Sequence, residues 1–531
     1  MQGKSRPDRE LLDAGEMAGH LVPPGSVFAF LAGHRGELFP DSFTADLFGS
    51  VTGRPSLPAD LVGSVLVLQA LYDLSDGQAA EALKFDIRWK VACGRSLTQM
   101  SFDPSTLVYW RKRIAKSGRP DRVFDAVAEV IGQTGILAGK RKRVIDSTVF
   151  DDAVATRDTV TQLTAAIRKA ARVVPGAGPV IAAVCALDYS RPGKPVIDWD
   201  DPAAKQQLVS DLVNDALAVL AALTGPDAPK RDDAAADALG LLALVAGQDV
   251  EPAADSDGTD GRWRIARKVA PDRIISTVDT QARHTRKSKS VRRDGFRGHL
   301  AAEPDTGLIT DCQMTMAAGA GSSDAENGVT MTARDRFGHD DTAAGQDQPG
   351  LEVYGDSAYG SGQARADYQA AGHDTVIKPG PLRPAVPGGF TLDDFTVDED
   401  NGTVTCPAGH VRPVSPKRSV TFGALCAGCP LRPRCTTART GRSLDLHPHA
   451  GLLRQARAMA RTPQFKQAYP TRAMIERAIS WTATQNGHRV RLRYLGTSKN
   501  NAWLHNRTAG LNLRTLVNAG LTRSGATWVI A

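Results

Sequence analysis

The chain has 531 residues, 42% of them hydrophobic, with 65 Lys and Arg against 58 Asp and Glu and a formal net charge of +7. That length predicts two to four modules with enough apolar material for packed cores. Met1 to Pro7 lacks the apolar stretch of a secretory signal, and the run Leu61 to Tyr72 is too short to span a bilayer, so secreted and membrane-embedded classes are excluded and a cytoplasmic protein is expected. In a reducing compartment the seven cysteines point to metal or core roles rather than to a disulfide framework.

In chain order, residues 1–20 read as charged and loose. From about Pro58 to Ser117 the pattern is helical. Leu61, Val65, Leu68 and Leu71 recur at helical spacing. Ser75 is an N-cap candidate for a second helix, and Asp103-Pro104-Ser105-Thr106 opens a third that carries Trp110, Arg111 and Arg113. A short helix followed by a capped basic helix suits helix-turn-helix docking on DNA, and equally suits any small helical bundle. Arg143 to Phe150 predicts a buried strand. Residues 157–260 read as an Ala-rich helical insertion. Strand signals return at Arg273 to Val278, then in a hairpin of Phe296 to Ala302 and Leu308 to Met316 whose turn holds Pro304, Asp305 and Gly307. Ala317 to Gly328 reads as a small-residue loop. Leu351 to Asp356, Ser361 to Ala371 and Thr375 to Lys378 predict strand, helix and strand. Residues 380–448 form a second, cysteine-bearing insertion. Helices follow from Gly451 to Gln485 and from Asn500 to Ala519. The class is α/β, a mixed sheet flanked by helices.

Three acids carry the chemistry. Asp146 lies within the apolar run Val144 to Val149, where a carboxylate is costly unless it meets a cation or strong donors. Arg141 or Arg143 could be that cation in a purely structural reading. Asp356 ends a strand, the place where ligands gather in open α/β sheets, and could also simply start a turn. Tyr469, Arg472 and Glu476 are spaced so that one helix face carries all three, with Pro470 early in that helix. Arg can fork onto a phosphate while Glu holds a metal, although Arg–Glu pairs four apart are common on surfaces. Hard divalent cations take oxygen ligands, and two of them stabilise the attacking and leaving oxygens of a phosphodiester displacement. Basic clusters at Arg111 to Arg113, Arg141 to Arg143, Arg283 to Arg297 and Arg489 to Arg493 suit nucleic acid, or are solvated faces.

Cys406, Cys426, Cys429 and Cys435 offer four soft thiolates, a donor set for a structural Zn²⁺, with His410 able to replace one. The alternatives are unrelated thiols or a redox pair, and the second lacks its strand–helix context. Cys93, Cys185 and Cys312 sit in apolar runs and read as core residues.

These motifs resemble the DDE transposases of bacterial insertion sequences, in the group with a Tyr-x2-Arg-x3-Glu signature. Val144-Ile145-Asp146-Ser147-Thr148 looks like the first-aspartate strand of that family. Tyr354 to Gly360 looks like its second-aspartate motif, and Arg283 to His299 like the basic stretch leading into the sheet. The likeness runs from about Leu61 to Leu516. It implies an RNase H-like core at 136–156 and 261–379, a helical DNA-binding domain at 21–135, the helical insertion at 157–260, the zinc-type insertion at 380–448, and C-terminal helices with the catalytic Glu at 449–531. It implies Mg²⁺ or Mn²⁺ on Asp146, Asp356 and Glu476, with Arg472 and Tyr469 at the scissile phosphate. It implies cutting at terminal inverted repeats and strand transfer by the freed 3′-hydroxyl, with no covalent enzyme intermediate. Double-stranded DNA is the expected partner, met by Arg111, Arg113, Arg283, Lys287, Arg292, Arg293 and Arg297. A homo-oligomer on nucleoid DNA is expected, since two ends must be brought together. The family's signature often continues to a Lys seven residues after the Glu, where this chain has Ala483. A metal nuclease without joining and a non-catalytic zinc-containing DNA-binding protein are the competing readings.

Overall fold

The computed structural model describes all residues except 6–11, 51, 226–230, 269, 271, 287–290 and 338–349. Its central feature is a mixed six-stranded sheet: β1 (Lys142–Asp151), β2 (Arg283–Arg286), β3 (Arg292–Ala302), β4 (Ile309–Met316), β5 (Glu352–Gly355) and β6 (Asp374–Ile377). The order is β2-β3-β1-β5-β6, with β4 also paired to β3. β1 runs antiparallel to β3 from Val144 opposite Ala302 to Asp151 opposite Gly295, and parallel to β5. β5 and β6 are parallel. Both faces of β1 are covered, so its apolar residues do not follow a one-sided pattern.

Four helices flank the sheet, α2 (Asp324–Ala333), α3 (Gly362–Ala370), α4 (Ile475–Ala483) and α5 (Thr497–Asn518), and α1 (Ala59–Leu71) packs on α5. The period of two along β1 sends Val144 and Phe150 to one face, into a core shared with Ile475, Ala478 and Leu504. Ile145 goes to the other face, among Ala325, Met331, Tyr359 and Tyr368. Gly298 on β3 makes room for Phe150, because a Cβ there would meet the Phe150 ring at 2.5 Å.

α1 is buried at every position, because the helix Val27–Leu38 and α5 enclose it. Arg507 of α5, itself buried, donates to the carbonyls of Ala70 and Leu71 at the end of α1. It also donates to those of Trp481 and Thr484 at the end of α4. A cation at two helix C-termini is well placed for their exposed carbonyls. The N-terminal helices are thereby locked to the helix that carries Glu476.

Two further cores stand apart in sequence. The insertion holds helices Thr159–Val173, Ala177–Val184, Pro202–Thr224 and Asp233–Gln248 around their own cluster, with a short strand pair at 250–252 and 263–265. Pro202–Thr224 is long and apolar enough to cross a membrane, contrary to the sequence expectation, yet half of it is buried against its neighbours. The cysteine segment is more regular than its composition predicts. It forms a three-stranded sheet (396–398, 403–405, 411–413) and a two-stranded one (419–421, 443–445) around Phe395, Val404, Val420 and Phe422.

Ser75 caps the helix Asp76–Phe85 through a full capping box with Gln78, and the hairpin of β3 and β4 forms as its turn residues predict. Other expectations fail. Arg273 to Val278 forms no strand beyond an isolated bridge at Ile274, and α2 begins inside the stretch expected to be a loop. The segment from Gly451 to Gln485 is not one helix. It breaks into Ala450–Met459, Pro463–Ala468, a 3₁₀ segment Tyr469–Met474 and α4, which stops at Ala483. Pro470 lies in the 3₁₀ segment, where its missing N–H removes the donor that a continuous α-helix would need. A C-terminal hairpin, 521–524 with 527–530, follows α5.

The buried pair beneath β1 is Arg143 with Asp335, which meet through Nε–Oδ2 at 2.5 Å and Nη2–Oδ1 at 3.0 Å. Asp335→Ala leaves the fully buried Arg143 guanidinium without its counter-ion and is expected to cost about 3–5 kcal/mol of unfolding free energy in a denaturant titration. A loss under about 1 kcal/mol would mean that Arg143 finds other acceptors.

Candidate active site

The sheet itself brings two acids together. β1 and β5 pair in parallel with Val144 beside Tyr354. Asp356 follows directly on β5, two residues past Tyr354, and lies near enough to Asp146 to raise its affinity for a proton. Asp356 leaves the strand end and caps the 3₁₀ turn Ser357–Tyr359, its Oδ1 accepting from the Ala358 N–H at 2.8 Å. The third acid arrives from the other end of the chain. Ile475 and Ala478 seat α4 in the core with Val144, which leaves Glu476 on the solvent face, its side chain 62% exposed.

Arg472 stands between the acids. Its Nη2 donates to Asp146 Oδ2 at 2.6 Å, and its Nη1 lies 3.5 Å from Glu476 Oε1. The i,i+4 pair expected of a plain surface helix is thus present, but the shorter bond is to the strand carboxylate. Arg141 and Arg143, the local partners considered for Asp146, are engaged elsewhere. Arg141 donates to the Gly350 carbonyl and lies near Asp374, while Arg143 holds Asp335. Tyr469 lies in the same 3₁₀ segment as Arg472, stacked on Phe465 with ring centres 5.3 Å apart.

The electrostatics follow from burial. The Asp146 carboxyl is raised to about 6, chiefly by burial, with the Ser147 N–H and Arg472 opposing the rise and Asp356 and Glu476 adding to it. Burial alone would lower the affinity of Arg472 for its proton, but Asp146, Asp356 and Glu476 together hold it above its ordinary value. Burial raises the Tyr469 phenol, and Asp356 and Asp146 add to the rise. A site with three carboxylates, one guanidinium and one phenol can hold cations and recognise a phosphate. Among the described residues, no group of three or more His, Cys, Asp or Glu side chains is gathered as a metal-ion site. Here the Arg472 guanidinium fills the gap between Asp146 and Glu476, and it supplies the positive charge that the carboxylates require.

The cysteine module also stops short of a gathered metal site. Cys406, Cys426, Cys429, Cys435 and His410 nevertheless line one cavity of about 20 Å³, room for roughly one water-sized sphere. Burial raises the Cys435 thiol; Arg442 opposes the rise, and the other three cysteines add to it. Cys93 and Cys312 are buried, as expected of core residues, and Cys185 is half-buried.

The basic residues expected on DNA divide sharply. Arg111 turns inward to Asp76 and Gln69 and lies over the Tyr494 ring. Arg113 donates from Nε to the Leu47 carbonyl at 2.6 Å and stacks on Phe48. Both side chains are thus engaged by partners within the protein. Arg283 donates to the carbonyls of Thr280 and Ala282. Arg293 pairs with Asp151, and Arg297 with Asp324 at 2.6 Å. Arg292 is exposed, and Lys287 lies outside the described residues. Arg489, Arg491 and Arg493 reach the carbonyls of Val149, Asp152 and Asp73.

Ala483 is the last residue of α4 and is buried in the core. It stands two turns beyond Glu476, near the same angle around the helix, yet it is buried where Glu476 is exposed, so a lysine there would start inside the core. Arg477 and Trp481 are also exposed, on a different side of the helix from Glu476. Both Arg477 and Arg514 lie over the Trp481 ring, at 5.6 and 5.2 Å.

Two family models match the chain. Residues 405–517 match one described as Transposase DDE domain, and residues 28–113 match one described as Transposase domain (DUF772). The first covers Cys406, Cys426, Cys429 and Cys435 together with Tyr469, Arg472 and Glu476; Asp146 and Asp356 lie outside both. No curated protein and no solved structure matches.

The raised affinity of Asp146 for its proton has a definite sign. The folded chain keeps that proton where the unfolded chain has lost it, so stability falls as pH rises from the ordinary value of 3.8 towards 6 and stays lower above it. With a chelator present, Asp146→Asn is expected to raise Tm at about pH 7.5, the gain shrinking as pH falls towards about 4. An unchanged or lowered Tm at the higher pH would show that the carboxylate is fully compensated.

Proposed function

We propose that this protein, a transposase by its two matched domains, binds the terminal inverted repeats of a bacterial insertion sequence, cuts at the ends and joins the freed 3′-hydroxyl to target DNA. The observation that carries this reading is the convergence of Asp146, Asp356 and Glu476, from three distant parts of the chain, around Arg472 at one end of the sheet. The mixed sheet with helices on both faces agrees with an RNase H-like core.

The three acids would hold Mg²⁺ or Mn²⁺, since their donors are all oxygens. The ions, when bound, stabilise the attacking and leaving oxygens of an in-line displacement. The protein's own groups do the rest. Arg472 compensates the acids before cations arrive, and afterwards its fork is free to turn to the scissile phosphate. Tyr469, its phenol raised and its ring held by Phe465, stays protonated and donates a hydrogen bond to a phosphate oxygen. Arg477 and Trp481 contact the DNA end beside Glu476, in place of the lysine that Ala483 lacks. Arg292 extends the basic surface. The active species is a homo-oligomer holding two ends, acting on nucleoid DNA in the cytoplasm. The cysteine module takes one structural Zn²⁺ on Cys406, Cys426, Cys429 and Cys435; the cavity they share supports this.

Purified protein with Mg²⁺ or Mn²⁺ is expected to nick and join DNA bearing the element's inverted repeats. Asp146→Asn, Asp356→Asn and Glu476→Gln should each abolish both steps while leaving end binding in gel shifts. Activity surviving any of them would sink the triad assignment. Nicking without joining in the parent protein would favour a nuclease.

Metal analysis of protein purified without chelator is expected to give about one zinc per chain, reduced in Cys429→Ser. Metal-free preparations with an unchanged Tm would remove zinc from the fold.

A further inference from the structure

Behind the acids, on the opposite face of β1, lies a polar network that none of these steps uses. The period of two turns Asp146 towards α4 and Ser147 towards α2. Ser147 Oγ donates to Asp324 Oδ1 at 2.7 Å. Asp324 is the first residue of α2, and its other oxygen, Oδ2, accepts from Arg297 Nη1 at 2.6 Å. His299 is the β3 neighbour of Ser147; its buried ring lies 3.4 Å from Asp324 through Nδ1 and 3.1 Å from Thr315 Oγ1 through Nε2. Both oxygens of Asp324 are therefore occupied, and its side chain is only 14% exposed.

Ser147 joins this network to the reactive face, because its backbone N–H donates to Asp146 Oδ1 at 2.8 Å. One residue thus holds the catalytic carboxylate with its amide and is itself held by Asp324 through its hydroxyl. The hydrogen bond to Asp146 sets which oxygen faces outward, and the orientation of that amide depends on the local backbone of β1.

We propose that Asp324 is a positioning residue for Asp146. Its carboxylate, charged and neutralised by Arg297, clamps the Ser147 hydroxyl and so fixes the backbone that orients the Asp146 oxygens. The proposal rests on the reading of Asp146 as a metal ligand. It makes Arg297 the counter-ion of Asp324 rather than a DNA contact. Asp324 is not itself a ligand, since it stands on the other face of the strand with both oxygens engaged.

The test uses the full-length protein and Mn²⁺ alone as probe, with calorimetric Mn²⁺ affinity, Tm, and kcat and KM for end cleavage as readouts. Asp324→Asn and Ser147→Ala should each weaken Mn²⁺ binding by about 10-fold and lower kcat by about 10- to 100-fold, with KM for DNA and Tm little changed. The double variant should be no worse than the worse single one, because both break the same link. Ser147→Thr, which keeps the hydroxyl, should restore parent values. Parental Mn²⁺ affinity in both single variants, or losses that multiply in the double variant, would overturn the proposal. So would loss of Mn²⁺ binding in Asp324→Asn with none in Ser147→Ala, which marks a direct ligand. If Asp324→Asn fails to fold with Arg297 unpaired, Ser147→Ala decides alone, since it leaves that ion pair intact. If the parent binds Mn²⁺ but cuts no DNA, the transposase reading fails while the Mn²⁺ comparison still judges the clamp.

Discussion

A carboxylate on a strand covered on both faces has to be neutralised, and the structure around Asp146 is arranged to do so. Water reaches that side chain poorly, so burial drives its proton affinity up, and two more acids nearby drive it further. The Arg472 guanidinium is the counterweight. It arrives on a 3₁₀ segment whose position depends on α4, and α4 is held by the core of β1 and by Arg507. Arg507 in turn ties α4 to the end of α1.

The sheet's two faces divide the work. On one, α4 and α5 pack against Val144 and Phe150 and bring Glu476 to the strand ends. On the other, α2 and α3 enclose Ile145 and carry Asp324. The period of two places neighbouring residues of β1 on opposite faces, so Asp146 and Ser147 belong to different networks joined through one peptide bond. The same packing explains Ala483. Once α4 lies with Ile475, Ala478 and Ala483 buried, a long basic residue at its last position would be buried, and Arg477 is the exposed basic residue of that helix.

Charge clusters were the least reliable guide. Arg111 and Arg113 look like a DNA-facing pair beside an aromatic, yet both are spent on internal acceptors. A guanidinium has five donors and a flat face, so it satisfies buried carbonyls and carboxylates as readily as phosphates. Nothing in a run of arginines says which way each one turns. The cysteines behaved differently. Four thiols scattered between residues 406 and 435 do line one cavity, because short strand pairs fold the segment back on itself around a small apolar cluster.

Several features were legible in the chain itself because they are local. The apolar run with a lone acid at Asp146, the Ser75 cap, the β3–β4 hairpin and the strand before Asp356 each depend on neighbours within a few residues. The three acids could be named for the same reason, since each sits in a recognisable local motif. Only the tertiary structure decided which cation meets Asp146. The sequence put Arg141 and Arg143 nearest, but the strand's alternation and the arrival of Arg472, 326 residues away, set the pairing. It also decided that Tyr469 and Arg472 lie on a 3₁₀ segment, that Ala483 is buried, and that Asp324 stands on the far face of β1 from Asp146. Those outcomes depend on burial and on side-chain direction, and both exist only once distant segments have packed.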